Sequence, residues 1–352
     1  MNTITGKDRV KAAFRRTHAD RVPSYPILGA YTVNLTGASL RDFYTEAKPL
    51  ADGQMAAYDA YEPDILVMMR DLLTEAEAMG SEVEFPEGQM CQITKYALGD
   101  EPARLARLEV PDVVNAGRFP SYWEACQIVA SQVKDVPVGS LLVGPWTLAA
   151  NLRGAENLIM DAMMNPDYVR DLLELTLQVA VAAAEAARRA GVGVSYSEAA
   201  ASCSLISPQI YREFIQPIHR RLTATLREKK IPVTLHICGQ IDPIMEDVVD
   251  TGIVALSIDS ASSLEKMVQV NQGKVVIIGN VPVVTFEQGT PEEIEAEVRR
   301  CIDTAAAGSG FILSSACELS PAARPENVAH FARYAKEYGR VENLGLGSGQ
   351  EG

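Results

Sequence analysis

The chain has 352 residues, 47% of them apolar, which is enough to bury a large core in one α/β barrel or in two domains. Its formal net charge of −14 argues against a nucleic-acid partner, because phosphate binding needs clustered Lys and Arg. We find neither an apolar run of the ~18 residues that a membrane span requires nor a signal peptide, and therefore expect a cytoplasmic protein without a membrane partner.

Strand-like apolar runs alternate with helical patterns along the chain. A short amphipathic helix is predicted over 4–18 and a long Ala-rich helix over 166–190. Ser207 and Thr290, each followed by Pro, indicate the starts of two further helices. The eight predicted strands are 22–27, 64–68, 136–143, 194–197, 231–237, 253–258, 274–278 and 310–315.

Eight strands alternating with helices predict the fold class α/β, in the form of a parallel (β/α)8 TIM barrel. We expect one barrel domain over 1–344 and a flexible Gly-rich tail over 345–352. The longest interval separates the second and third strands. Its 80–107 portion is rich in Gly, Pro and charge, and we expect an excursion there, such as a small hairpin.

The fifth predicted strand ends with His236 and Cys238, whose side chains leave the strand on the same face because they are two residues apart. Cys317 follows the eighth strand. Since the carboxyl ends of the strands of a parallel barrel meet on one rim, we expect all three residues there. His and Cys are zinc ligands, and three protein ligands are typical of a catalytic zinc with an open position. Alternatively, the two cysteines are ordinary buried residues and His236 is an ordinary pocket residue.

The six cysteines are scattered and form no regular disulfide framework, so we expect free thiols and metal ligands. Zinc held by two thiolates is a comparatively poor Lewis acid for activating water. It is well suited to holding a substrate thiol as thiolate, because metal coordination deprotonates the thiol. The pattern therefore favours thiol alkylation over hydrolysis.

Five further polar residues lie at the ends of predicted strands. We predict catalytic roles for Asp71, Glu198 and Asn280, and cofactor binding by Tyr25 and Asp259. Four of them have a structural alternative. Asp71 would cap the next helix, Tyr25 would only pack, and Asp259 and Asn280 would satisfy backbone groups of their loops.

Several stretches make the chain resemble the uroporphyrinogen decarboxylase superfamily over nearly its whole length. They are Gly144-Pro145-Trp146-Thr147, Ile206-Ser207-Pro208 and Gly279-Asn280-Val281, taken with the order of the eight strands. Within the superfamily the chain more closely resembles the cobamide-dependent methyltransferases, including the methylcobamide:coenzyme M methyltransferases. Their pattern is His-x-Cys on the fifth strand and a later Cys after the eighth, which matches His236-Ile237-Cys238 and Cys317 here.

This resemblance implies a zinc enzyme that takes a methyl group from a corrinoid such as methylcobalamin, carried on a corrinoid protein, and passes it to a small-molecule thiol such as coenzyme M. His236, Cys238 and Cys317 would bind the zinc. The fourth position would receive the thiol, or an acid such as Glu198 when no thiol is bound. The sequence leaves the methyl donor, the acceptor and the oligomeric state open.

The chain departs from true decarboxylases after the first strand. Their Arg-rich signature, which grips substrate carboxylates, is replaced by Tyr25-Pro26-Ile27-Leu28-Gly29-Ala30, which offers no cation. Three alternatives remain: methyl transfer in the opposite direction, from a methylated substrate to a reduced corrinoid; uroporphyrinogen decarboxylation; and a non-catalytic corrinoid- or zinc-binding partner.

Overall fold

The structure is a computed structural model that describes residues 3–345. Eight of the ten strands in these residues form one sheet in the order β1-β10-β9-β8-β7-β6-β5-β2, and all hydrogen-bonded neighbours are parallel. The strands are β1 Ser24–Tyr25, β2 Leu66–Met68, β3 Glu82–Glu84, β4 Gln92–Lys95, β5 Val138–Val143, β6 Gly193–Ser197, β7 Thr234–Ile237, β8 Ala255–Ile258, β9 Val276–Val281 and β10 Phe311–Ser315.

The sheet forms a nearly closed barrel, which confirms the predicted (β/α)8 fold. Its seam lies between β1 and β2, where the backbone N–H of Asp64 donates to the carbonyl of Ser24 at 2.9 Å. All eight predicted barrel strands are present. The first is shorter than expected because Pro23 and Pro26 flank it and neither can donate a backbone hydrogen bond.

Helices connect the strands and form the outer layer. Within residues 3–345 they are α1 Gly6–Arg15, α2 Val33–Thr36, α3 Leu40–Thr45, α4 Ala47–Tyr61, α5 Thr74–Ala78, α6 Phe119–Gln132, α7 Pro145–Arg153, α8 Ala155–Met164, α9 Pro166–Arg189, α10 Pro208–Ile210, α11 Gln216–Glu228, α12 Met245–Val249, α13 Leu264–Asn271, α14 Val283–Gln288, α15 Pro291–Ala305 and α16 Pro325–Tyr338. None of the helices in this part of the chain is both long and apolar enough to cross a membrane.

The helix starts follow the capping signals in the sequence. Thr5 caps α1, and Thr290 caps α15 through a reciprocal pair of hydrogen bonds with Glu293. The Ser207 hydroxyl accepts from the backbone N–H of Ile210 at the start of α10. The helix starts predicted at Ser207 and Thr290 are therefore confirmed.

The interval between β2 and β5 contains an antiparallel hairpin of β3 and β4, within the predicted 80–107 excursion. Met90 and Cys91, from the turn of this hairpin, line the cavity described below. The tail predicted over 345–352 lies outside the described residues except for Gly345, and the one-domain organisation remains a prediction.

Two apolar clusters pack against the barrel sheet, one on each side of it. The larger lies between the sheet and the helices. The smaller fills the barrel interior and includes Val10 and Ala13 of α1 together with Ile278 and Ile312 of the strands. Because α1 precedes the first strand and packs into this interior cluster, it covers the amino-terminal end of the barrel. The carboxyl-terminal end is left for a pocket.

Candidate metal centre

His236 lies near the carboxyl end of β7, in register with Ser197 on β6 and Ser257 on β8. Its strand neighbours Leu235 and Ile237 belong to the outer cluster, so the alternation of side chains turns His236 toward the barrel interior. Its Nδ1 is 3.0 Å from Ser257 Oγ. This contact fixes the ring orientation and leaves Nε2 directed at the two cysteines.

Cys238 and Cys317 approach His236 from different strand ends. The Nε2 atom of His236 is 3.2 Å from Cys238 Sγ and 3.7 Å from Cys317 Sγ, and the two sulfurs are 3.8 Å apart. Among the described residues, these three form a group of His, Cys, Asp or Glu side chains compact enough to hold a metal ion. The structure therefore brings together the three predicted ligands, although they span 81 positions of the sequence.

These separations fit a tetrahedral zinc ion. Bonds of about 2.3 Å to sulfur and about 2.0–2.1 Å to nitrogen give tetrahedral edges of roughly 3.8 Å between two sulfurs and roughly 3.5 Å between sulfur and nitrogen. The observed sulfur–sulfur distance of 3.8 Å equals the first edge, and the nitrogen–sulfur distances of 3.2 and 3.7 Å bracket the second. Three donors define one face of a tetrahedron, so the donor set leaves one vertex for another ligand.

The electrostatics of the cluster also suit a cation. The contact between the Cys238 and Cys317 sulfurs lowers the pKa of Cys317 well below that of a free thiol. The same contact, together with burial, raises the pKa of Cys238 far above that of a free thiol. Burial alone would lower the pKa of His236, but its contact with the Cys317 sulfur raises it. The contact therefore favours the thiolate form of one sulfur of the pair.

A cavity of about 260 Å³ opens against the cluster from the interior of the barrel. Its wall is mainly apolar and includes Ile27, Val67, Met69 and Leu141. Tyr25 also lines it, and burial raises the pKa of this phenol to about 12; its predicted role in cofactor binding remains a prediction. An apolar wall beside a polar cluster excludes water from one side of it.

Asp71 lines the same cavity, and its carboxylate is held by hydrogen bonds from the protein. It accepts hydrogen bonds from the Arg118 guanidinium, with Nη2 at 3.0 Å from Oδ1, and from the backbone N–H of Leu73 at 2.7 Å. Burial alone would raise the pKa of Asp71, but Arg118 lowers it below its ordinary value. Asp71 is therefore an ionised, paired carboxylate at the cavity wall, and its predicted catalytic role remains a prediction.

The carboxylate of Glu198 is engaged away from the cluster. It is fully buried and accepts from the backbone N–H groups of Trp146 and Thr147 at 3.1 and 2.8 Å. It also accepts from the Thr147 hydroxyl at 2.8 Å and lies 3.0 Å from Nε2 of His219. Glu198 neither lines the cavity nor belongs to the compact group of three. Its contacts stabilise the amino-terminal end of α7, and its catalytic role remains a prediction.

Asp259 and Asn280 stabilise loops beside the cluster. The carboxylate of Asp259 accepts from the backbone N–H of Gly239, directly after Cys238, at 3.0 Å. The side-chain amide of Asn280 donates to the carbonyls of Asp259 and Ser262 at 3.2 and 3.1 Å. Neither side chain lines the cavity, so any effect on the cluster passes through these loops. Their predicted roles in cofactor binding and catalysis are not tested by this placement.

Glu318 lines the cavity and was missed by the sequence reasoning, although it follows Cys317 directly. Its carboxyl accepts from the backbone N–H of Ala30 at 2.6 Å, and burial raises its pKa to about 7. A Cβ at Gly29 would lie 1.9 Å from Glu318 Oε1, so glycine is required for this approach. Ser257 was also missed. It could have been predicted from its position on the neighbouring strand, in register with His236.

The model of the uroporphyrinogen decarboxylase (URO-D) family matches residues 5–338. The chain belongs to this family. The resemblance drawn from sequence motifs is thereby confirmed at the level of the family. Because one fold can carry several chemistries, membership alone does not select between transfer and decarboxylation.

Relatives of both kinds are found within the family. The methylcobamide:CoM methyltransferase of Methanosarcina barkeri is 27% identical, over 96% of this chain and 99% of that protein. The methylated-thiol–coenzyme M methyltransferase of Methanosarcina mazei is also 27% identical, over 99% and 96%. The uroporphyrinogen decarboxylase of Xylella fastidiosa is 26% identical, over 92% and 96%. A solved methyltransferase from Methanosarcina mazei shares the fold with a TM-score of 0.87, at 24% identity over 96% of this chain and 99% of the other.

Proposed function

We propose that the protein is a zinc-dependent methyltransferase that moves a methyl group between a corrinoid, carried on a separate corrinoid protein, and a small thiol. The observation that carries this proposal is the face of one nitrogen and two sulfurs formed by His236, Cys238 and Cys317 beside the cavity. The names of the methyltransferase relatives support the corrinoid and the thiol.

In this proposal His236, Cys238 and Cys317 hold the zinc, which when bound keeps the substrate thiol deprotonated near neutral pH. Ser257 holds the imidazole of His236 in the orientation that presents Nε2. The apolar wall, including Met69 and Leu141, keeps water from the reacting sulfur. The mouth at the carboxyl-terminal end of the barrel is the side from which the corrinoid would approach.

The transfer is a nucleophilic displacement at the methyl carbon. The thiolate sulfur donates an electron pair to form the new carbon–sulfur bond, and the carbon–cobalt bond breaks with its electron pair remaining on cobalt. The substrate thiol loses its proton to solvent on binding, so the transfer itself needs no protein acid. This agrees with a cavity in which Asp71 is tied to Arg118.

A test measures the loss of methylcobalamin absorbance with a panel of thiols, using zinc-loaded protein and its Cys238→Ala variant. We expect the variant to lose on the order of 100-fold or more in rate, because it removes a zinc ligand. Cys203→Ala is the control, since Cys203 is a half-buried free cysteine outside the cluster.

Equal rates in the wild type and Cys238→Ala would refute the proposal. The same protein, given cob(I)alamin and methyl thioethers or methoxylated aromatics, tests the opposite direction of transfer. Turnover of uroporphyrinogen without methyl transfer would instead establish decarboxylation.

A further inference from the structure

The cavity beside the cluster has a one-sided charge distribution, and this limits the thiol that it can accept. Among its described lining residues, Asp71 and Glu318 carry carboxyl groups, whereas Arg70 is the one residue of Lys or Arg type. An anionic substrate therefore depends on Arg70, or on a cation just behind the wall.

The guanidinium of Arg70 is directed away from the cavity. Its contacts agree with this direction, because its central carbon lies 4.4 Å from the ring centroid of Tyr122, which does not line the cavity.

The charge of Arg70 is also matched. Its Nη2 donates to Glu75 Oε1 at 2.7 Å, and both side chains are almost completely buried. Its Nε and Nη1 have no hydrogen-bond acceptor within the described residues, and the guanidinium lies over the rings of Phe119 and Tyr122 instead. These nitrogens are thus enclosed by aromatic residues of α6, which do not line the cavity.

The cation behind the wall is Arg118, and it serves two carboxylates. It donates to both oxygens of Asp71 and, through Nε at 2.6 Å, to Glu77. Arg70 and Arg118 are therefore paired with three carboxylates, Glu75, Asp71 and Glu77, and the cavity wall also contains the carboxyl group of Glu318. A sulfonate placed in this cavity would meet no unmatched cation and would lose its hydration without compensation.

We propose that the thiol accepted here is small, uncharged and largely apolar, and that it does not carry a sulfonate. This inference rests on the proposed methyl transfer and refines its substrate. It departs from coenzyme M, 2-mercaptoethanesulfonate, which the resemblance led us to expect. The complementary surface is the apolar wall formed by Ile27, Val67, Met69 and Leu141.

The test is a calorimetric titration of the zinc-loaded protein with 1-butanethiol and with 2-mercaptoethanesulfonate at the same pH and ionic strength. We expect 1-butanethiol to bind at least about tenfold more tightly, because it buries its chain without desolvating an anion. Equal or tighter binding of the sulfonate would overturn the inference and leave the methyltransferase proposal intact. If neither thiol binds, both this inference and the methyltransferase proposal are overturned.

A variant supplies a second, independent readout. Asp71→Asn removes one of the two carboxylates matched to Arg118 while keeping a hydrogen-bond acceptor for the Leu73 N–H. We expect it to raise the affinity for 2-mercaptoethanesulfonate relative to 1-butanethiol on the order of tenfold. Asp250→Asn, which breaks the exposed pair with Lys274, is the matched control and should leave the ratio unchanged. An unchanged ratio in Asp71→Asn would contradict the charge matching on which the inference rests.

Discussion

His236 and Glu198 lie on neighbouring strand ends, and the backbone N–H of Glu198 donates to the carbonyl of His236 at 2.8 Å. Each belongs to a histidine-containing cluster at the carboxyl end of the barrel. In the first, His236 meets two half-buried sulfurs beside a cavity. In the second, His219 meets the fully buried Glu198, which already accepts three other hydrogen bonds.

The two clusters differ in how many hydrogen-bonding positions of their polar atoms are already occupied. The oxygens of Glu198 are occupied by α7 and His219, so this acid acts in the scaffold. The sulfurs of Cys238 and Cys317 contact mainly each other and one imidazole nitrogen. A position at the carboxyl-terminal end of the barrel is therefore not enough to identify a reactive group. The two clusters are distinguished by whether their polar atoms are still free to bind another ligand.

The largest expected effect is on metal binding. Cys317→Ala should reduce zinc from about one ion per chain to less than about 0.1, because two remaining ligands seldom hold zinc. Metal analysis of protein purified without added chelator measures this. Cys91→Ala is the control, since Cys91 lines the same cavity but lies outside the group of three. Equal zinc contents in the Cys317→Ala variant and the wild type would show that β7 and β10 share no metal.

A change in the cluster of Glu198 and His219 should instead lower the stability of the protein. Glu198→Gln should lower the free energy of unfolding by about 2–4 kcal/mol, because an amide cannot accept all the hydrogen bonds that the carboxylate accepts. Urea unfolding at constant zinc measures the change. Glu174→Gln, which breaks an exposed pair with Arg221, should cost less than about 0.5 kcal/mol. Loss of zinc in the Glu198→Gln variant, without loss of stability, would reverse the assignment of the two clusters.

Removal of the metal should lower the stability of the wild type and leave that of the Cys317→Ala variant unchanged. At free zinc about 100 times the dissociation constant, binding adds about 2.7 kcal/mol to the free energy of unfolding. A chelator should therefore lower the stability of the wild type by about this amount and leave Cys317→Ala unchanged. A chelator effect of the same size in both proteins would place the metal elsewhere.

The smallest expected effect concerns the orientation of His236. Ser257→Ala removes the partner of Nδ1, and we expect it to weaken zinc binding about tenfold. Competition with a chromophoric chelator measures the affinity. Ser131→Ala, on the exposed face of α6, is the control. An unaltered affinity in Ser257→Ala would show that the imidazole is positioned by packing alone.

The sequence was most informative where the barrel pattern is strict. The apolar runs located all eight barrel strands, and the rule that catalytic groups lie at carboxyl ends placed His236, Cys238 and Cys317 together. These three residues come from strand ends, and the fold brings the carboxyl ends of its parallel strands to one side of the barrel. Spacing and fold class were therefore enough to predict their proximity.

The sequence was least informative about pairing between distant side chains. Arg118 lies 47 positions from Asp71, in a stretch without a strand pattern, and nothing local indicates that the two meet. Glu198 follows the end of β6, where regular alternation no longer determines the direction of a side chain, and Asn280 lies in β9 beyond the predicted strand end at 278. Only the packed structure shows that their polar atoms turn toward helices and loops.

The pairing of the first strand with the last has a consequence for the order of events during synthesis. β1 pairs only with β10 in the barrel sheet of the described residues, and Cys317 follows β10. A nascent chain that has emerged as far as β9 carries His236 and Cys238 but no third ligand. Synthesis must therefore proceed past β10 before the three residues can come together, so a metal ion held by all three could bind only after the sheet has gained its last strand.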